Sequence, residues 1–356
     1  MKIVLSGGGT LGPVVPLLAV REACLARHHD AEFIWVGTKH GPEKELVEKS
    51  GLSFFTIGAG KWRRYFSFLN IFDLFKIIVA FWQSLFFLWQ EKPGLIISCG
   101  GFVSVPLHWA AAVLNIPAWV HQQDVRVGLA NKLMFPFAKK ITTALQETIK
   151  FLPREKTEWL GNPSRDLTVK SPAGSRKKFN IPAGVPVIFA LGGGTGSASI
   201  NKLVLEAIPH WPKDWQVIHL VGRERPREVA EKATGIFKNY HVYPFFTDEI
   251  KDAYAIADVV IARAGFSTLS ELAALKKAAV ILPMFGTHQE DNARLFLEQE
   301  GVVMMERGTE SGIKLAQIVK ELVLSPADRE HLGKRLQTLL PRAKPEKIVE
   351  IIDSLL

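Results

Sequence analysis

Cysteine is nearly missing from this chain: Cys24 and Cys99 are two among 356 residues, and each lies inside an apolar segment. Two thiols without metal-ligand spacing fit a reduced cytosolic compartment better than a disulfide framework. No Asp-x-Asp occurs and the histidines are scattered, so no metal site is legible. The absence of Gly-x-x-x-x-Gly-Lys-Ser/Thr removes the P-loop nucleotidases. Helix-turn-helix, zinc-finger and RNA-recognition signatures are also lacking, so nucleic acid is not an expected partner despite a net charge of +9. The first strand-like run begins at residue 2, which leaves no room ahead of it for a secretory signal.

What is present is a repeated tetrapeptide. Gly-Gly-Gly-Thr stands at Gly7–Thr10 and again at Gly192–Thr195, each time after a short β-branched run, Lys2–Leu5 and Val187–Leu191. A periodic apolar stretch follows each. Glycines let such a turn bring backbone N–H groups against a ligand, and the next helix directs its partial positive charge to the same place. An anion, most simply a phosphate, is the expected guest, while a plain connecting turn remains the alternative for either loop alone. Gly7, Gly9 and Gly12 also satisfy Gly-x-Gly-x-x-Gly. The next strand-like run, Glu32–Val36, ends in Gly37-Thr38 where a ribose-binding acid belongs, which weakens NAD or FAD. Two strand-to-glycine units in a chain of this length, 47% apolar, predict two similar α/β domains with a cleft between them.

Residues 1–165 carry 19 Lys/Arg against 12 Asp/Glu, so the excess charge belongs to the N-terminal half. Lys61-Trp-Arg-Arg64 precedes Tyr65–Trp89, which holds seven Phe and two Trp. Its longest uninterrupted apolar run is Ile77–Trp82, well short of the ~20 residues a spanning helix needs. Cations beside an aromatic helix describe a surface lying among anionic headgroups; an ordinary buried helix is the alternative.

Further on, Leu95–Ser98 and Ala118–His121 read as buried parallel strands, the second running into His121-Gln122-Gln123-Asp124. Polar residues at the C-terminal ends of such strands are where α/β sheets hold ligands. Trp159–Arg165 with the polar Lys170–Lys178 reads as a linker. The densest polar cluster lies later: Arg263-Ala-Gly265, a helix from Phe266 to Leu275, and the turn Pro283–Asn292. Thr268 and Glu271 have capping-box spacing, and a carboxylate there also suits the vicinal hydroxyls of a ribose.

In order and spacing these pieces resemble the MurG-type glycosyltransferases of glycosyltransferase family 28. The resemblance is carried by Gly8-Gly-Thr-Leu-Gly12 with Pro16, the segment after Lys61, Gly100-Gly-Phe-Val-Ser104, and His121–Asp124 with Asn131-Lys132. It continues through Gly161-Asn-Pro163 with Arg165, Arg263-Ala-Gly265 to Glu271, and His288-Gln289 with Asn292. It implies the α/β fold called GT-B, two Rossmann-like doubly wound parallel-sheet domains facing a cleft, residues 1–163 plus 341–356 and residues 164–340. The activity implied is inverting transfer of N-acetylglucosamine from UDP-N-acetylglucosamine to undecaprenyl-diphosphate-linked N-acetylmuramyl-peptide, lipid I to lipid II, in peptidoglycan synthesis. It uses no cofactor or metal. The protein would lie peripherally on the cytoplasmic face of the cell membrane, against anionic lipid. A related GT-B transferase acting on another lipid-linked sugar or glycolipid is the alternative.

On the matching positions, the resemblance implies that Phe246 covers the uracil, the backbone at Thr247 reads its edge, and Glu271 holds the ribose. Arg165, Gly194 and the helix opening, Phe266, Ser267, Thr268, Leu269 and Ser270, would face the diphosphate, and Thr195, Arg263 and Gly265 would belong to the same nucleotide-sugar site. His288, Gln289 and Asn292 would read the sugar. Thr10, Leu11, Gly12 and Asp124 would complete the nucleotide-sugar site from the first domain, where the acceptor arrives. Lys61, Arg63, Arg64, Phe75, Ile78 and Trp82 would meet the membrane. The family's first loop reads Gly-Gly-Thr-Gly-Gly-His, and Leu11 and Pro13 depart from it; its His-Glu-Gln-Asn appears here as His121–Asp124. With Pro13 unable to act as a base, Asp124 is expected to replace the family histidine, and His121 is second. A turn-capping role for Asp124 is the alternative.

Overall fold

A computed structural model gives the fold. It describes residues 1–58, 69–223, 231, 235 and 237–356, with backbone alone at 69–74. The chain forms two compact units, Met1–Arg165 with Arg342–Leu356, and Asp166–Pro341. The change of unit thus falls after Arg165 rather than after 163, and the return after Pro341 rather than after 340.

The first unit alternates strand and helix: β1 (Lys2–Ser6), α1 (Val14–Arg27), β2 (Glu32–Gly37), α2 (Glu43–Lys49), β3 (Ser53–Thr56) and α3 (Leu69–Glu91). Then come β4 (Leu95–Ser98), α4 (Ser104–Val113), β5 (Ala118–Gln122), α5 (Leu129–Met134), β6 (Lys140–Thr143) and β7 (Thr157–Trp159). The sheet order is β3-β2-β1-β4-β5-β6-β7, and each neighbouring pair is parallel. Continuous apolar runs such as Ile3-Val4-Leu5 and Leu95-Ile96-Ile97 are buried because helices cover both faces of the sheet. One face packs on Val14, Leu17 and Val20 of α1 and on Ile348, Ile351 and Ile352 of the C-terminal helix, Pro345–Leu355. The other packs on Phe87 and Leu88 of α3 and Leu107, Ala110 and Ala111 of α4. The C-terminal helix is drawn back to this unit by a bridge from Asn162 to Arg342 and by His28 Nε2, 2.7 Å from Asp353 Oδ1.

The second unit comprises α6 (Pro172–Lys178), β8 (Val187–Leu191), α7 (Ala198–Ala207), β9 (Gln216–Leu220), β10 (Tyr240–Tyr243) and α8 (Ile250–Ile256). It continues with β11 (Val259–Ala262), α9 (Phe266–Ala274), β12 (Ala279–Ile281), α10 (His288–Glu298), β13 (Val303–Met304), α11 (Gly312–Leu324) and α12 (Pro326–Leu339). Its parallel order is β10-β9-β8-β11-β12-β13. In both sheets the order reverses beside the strand that feeds a glycine loop, β1 in the first and β8 in the second. Each loop therefore opens at a topological switch point, the crevice where such sheets bind ligands.

Two expectations are corrected. The polar stretch Lys170–Lys178 is largely helix: Ser171 caps it by accepting from Gly174 N at 3.2 Å, and Pro172 occupies its first turn. Its polar residues serve packing, since Ser175 Oγ and Lys178 Nζ each donate to the Asp252 carboxylate of α8 at 2.6 Å. The expected turn Pro283–Asn292 is half helix, because Thr287 caps α10 at His288.

Candidate active site

In the second unit the glycine loop after β8 bends through Gly193 and Gly196, at φ +86° and +84°. Gly222, at the end of β9, approaches it so closely that a Cβ there would lie 2.3 Å from Gly196 Cα. Ser197 caps α7, accepting from Ile200 N at 3.2 Å. Arg263, the first residue past β11, donates to Ser197 Oγ from Nε at 3.0 Å and from Nη2 at 2.7 Å, and to Ser199 Oγ at 3.2 Å. A guanidinium is thereby fixed at a helix N-terminus beside a loop of backbone donors, and that combination favours an anion. Gly194 is half-buried, and Thr195 is exposed on the same loop.

The neighbouring helix α9 starts at Phe266, with Gly265 as its cap and no side-chain capping bond. Thr268 and Glu271 therefore lie inside the helix, which overturns the capping box. Glu271 is 4% exposed and accepts from Tyr254 Oη at 3.0 Å. Phe266, Leu269 and Ser270 turn their side chains inward, and Ser270 Oγ bonds back to Phe266 O at 2.7 Å. Ser267 and Thr268, at the helix opening, are half-buried. Asn292 is fully buried and donates to Ala264 O at 3.3 Å, bracing the turn that contains Gly265. Gln289 is half-buried, its Oε1 accepting from Met284 N at 3.1 Å, and His288 beside it is exposed. Phe246 is buried against Tyr243 and Phe179, at centroid separations of 4.7 and 5.6 Å. Thr247 is exposed, and its N–H donates to Glu249 at 3.3 Å. The more accessible ring is Phe245, with the Arg223 guanidinium 4.2 Å from its centroid.

In the first unit the glycine loop after β1 turns at Gly9, φ +82°, and the α1 helix follows Pro13. Pro13 is buried, and a Cβ on Gly7 would come within 2.7 Å of its own Cβ, so the residue standing for the family histidine is a packing element. Thr10 is exposed, with Leu11 and Gly12 half-buried beside it. At the end of β5, His121 is 1% exposed, with Nδ1 2.8 Å from Thr142 Oγ1 and Nε2 2.9 Å from Asn162 Oδ1. Burial lowers its pKa to about 4, only partly offset by the Asn162 bond. A ring this buried, with both nitrogens already bonded within the fold, is poorly placed to take a proton from an incoming hydroxyl. Gln122 spans the turn, donating to Asp124 O at 2.7 Å while accepting from Asn131 Nδ2 at 2.6 Å. Asp124 itself is half-buried where β5 ends, and Arg165 is half-buried and falls in this unit.

Residues 3–143 match the glycosyltransferase family 28 N-terminal domain, and residues 187–344 match the glycosyltransferase family 28 C-terminal domain. The chain belongs to glycosyltransferase family 28. It is 37% identical over 303 residues to a Staphylococcus carnosus protein named UDP-N-acetylglucosamine–N-acetylmuramyl-(pentapeptide) pyrophosphoryl-undecaprenol N-acetylglucosamine transferase, covering 83% of this chain and 82% of that one. A Clostridium perfringens protein of the same name is 34% identical over 352 residues, 98% of this chain and 94% of its own. The crystal structure of Acinetobacter baumannii MurG superposes with a TM-score of 0.76 at 22% identity over 99% of both chains, which shows the GT-B fold. The UDP co-structure of Staphylococcus aureus MnaA has the same fold, with a TM-score of 0.71 at 14% identity over 99% of this chain and 95% of that one.

Several family-28 site contacts escaped the sequence. Ser197 carried a local signal, a serine directly before an apolar helix. Asn162 stood in the Gly161-Asn-Pro163 motif, but its contact with His121 was not legible; Tyr254, Thr142 and Glu43 carried no signal, because their bonds to Glu271, His121 and Gly9 join residues separated in sequence.

Proposed function

We propose that this family-28 protein transfers N-acetylglucosamine from UDP-N-acetylglucosamine to undecaprenyl-diphosphate-linked N-acetylmuramyl-peptide, with inversion at the anomeric carbon. The observation that carries this reading is the Arg263–Ser197 pair on the second glycine loop, an anion site in a chain whose relatives of near-equal length bear that transferase name. The donor diphosphate lies against that loop and the N-terminus of α9, where Arg263 and the helix dipoles stabilise charge on the departing UDP. Glu271 holds the ribose hydroxyls from inside the helix. Gln289, with His288 near it, reads the sugar. The acceptor meets the loop at Thr10–Gly12, and Asp124 takes the proton of the attacking hydroxyl.

The membrane reading gains support from α3. Phe75, Ile78, Val79, Trp82, Phe86 and Trp89 are all exposed, at spacings of three, four and seven that put them along one side of the helix. A row of aromatics open to solvent is what an interfacial helix offers to lipid, so the enzyme works peripherally where its lipid-linked acceptor resides. Among the described residues no helix is long and apolar enough to cross a membrane. Lys61, Arg63 and Arg64 lie outside the described residues. Incubation with UDP-N-acetylglucosamine and a panel of lipid-diphosphate sugars, with products identified by mass, tests the reading. Product on a different acceptor alone supports the related transferase, and no product with any acceptor defeats both.

A further inference from the structure

The two copies of Gly-Gly-Gly-Thr are wired oppositely. The second is faced by the Arg263 guanidinium, as described above. The first is faced by a carboxylate: Glu43, the first residue of α2, is 0% exposed. Its Oε2 accepts from Gly9 N at 3.2 Å, and its Oε1 accepts from Thr38 N at 2.8 Å and from Thr38 Oγ1 at 2.5 Å. The surrounding backbone is shaped to it, since a Cβ on Gly8 or Gly41 would lie 2.5 or 1.9 Å from a Glu43 carboxylate oxygen. On the far side Gly101, at φ +94°, admits the loop so closely that a Cβ there would meet Gly8 N at 3.0 Å.

From this we infer that Glu43 is a positioning residue for the first glycine loop, a built-in carboxylate that takes the Gly9 N–H and fixes Gly9 in the left-handed turn the acceptor meets. A buried carboxylate does for this loop what a bound phosphate does for others, so the loop is ordered before any ligand arrives. The second loop has a cation beside it instead, the Arg263 guanidinium on Ser197. Identical tetrapeptides thus serve different partners: the second takes the donor diphosphate, and the first presents Thr10–Gly12 to the acceptor. The kinetic consequence rests on the transferase reading; the ordering of the loop does not.

Glu43→Gln tests it, because either rotamer of the amide leaves one of the two backbone N–H groups facing an NH2 group. Hydrogen exchange at residues 7–12 and 38 is expected to quicken at least tenfold, well beyond the rest of the first unit, whatever the fall in melting temperature. Acceptor KM should rise at least fivefold while donor KM stays within twofold. Thr38→Val, which removes only the hydroxyl bond, should move exchange and acceptor KM in the same direction by less. Unchanged exchange in Glu43→Gln overturns the inference whatever the enzyme transfers. So does an equal loss for both substrates that tracks a fall in melting temperature in both variants. Absence of transfer by the wild type would defeat the transferase reading and leave the exchange result to decide the role of Glu43.

Discussion

Tyr254 Oη donates to Glu271 Oε2 across 3.0 Å, and this bond anchors the carboxylate in the interior of α9 rather than at its cap. One oxygen is committed to the fold, which divides the effects of substitution. Glu271→Gln keeps an acceptor for Tyr254 and should weaken UDP-sugar binding by about tenfold in calorimetry with little change in melting. Glu271→Ala should add a stability loss of about 1–3 kcal/mol, because the Tyr254 hydroxyl is then buried without its partner. Unchanged donor affinity in the Gln variant would reduce Glu271 to a structural residue.

Asp124 is the remaining candidate for the base at the end of β5, with His121 held between Thr142 and Asn162. Asp124→Asn should lower kcat on the order of a hundredfold at nearly constant donor affinity. Turnover near the wild-type value would remove it as base. A gain of turnover in Pro13→His would show that the catalytic group was lost from this chain rather than relocated.

Buried histidines make stability depend on pH. Burial lowers the pKa of His121 to about 4 and of His108 and His219 to about 3, from an ordinary 6.5. The unfolded chain protonates them below pH 6.5 while the folded chain does not. Their contribution is therefore whole above 6.5 and is lost as pH falls toward the folded values. Each should cost up to about 1.4 kcal/mol per pH unit in that window. Urea unfolding at pH 7.5, 6.5 and 5.5 checks this, and equal stability at 6.5 and 5.5 would contradict it.

The exposed side of α3 predicts membrane behaviour. Replacing Trp82, Phe86 and Trp89 together with serine should abolish most sedimentation with anionic vesicles and leave turnover of a soluble short-chain acceptor unchanged. Changing Lys61, Arg63 and Arg64 to Glu should weaken vesicle binding by about 1 kcal/mol per lost cation. Vesicle binding equal to that of the wild type in both variants would exclude α3 and the cations before it as the contact.

The strands were legible because parallel strands covered on both faces read as unbroken apolar runs, as Val187–Leu191 does. Both glycine loops were legible from their position after such runs. The helix at Pro172–Lys178 was not, since its contacts are the polar bonds of Ser175 and Lys178 to Asp252, distant in sequence. Spacing alone misread Thr268 and Glu271, because the helix begins two residues before Thr268 and carries both inside it. The role of Glu43 required β1, β2 and α2 to be assembled before Gly9 and Thr38 could share one carboxylate.

We propose sugar transfer from a nucleotide held at Arg263. Its most direct test is the anomeric configuration, read by proton NMR, of the product made from α-linked UDP-N-acetylglucosamine and lipid-diphosphate N-acetylmuramyl-peptide, with Arg263→Ala run in parallel. A β-linked disaccharide on the lipid is expected from the wild type, and little or none from Arg263→Ala. An α-linked product, free N-acetylglucosamine alone, or full activity in Arg263→Ala would contradict it.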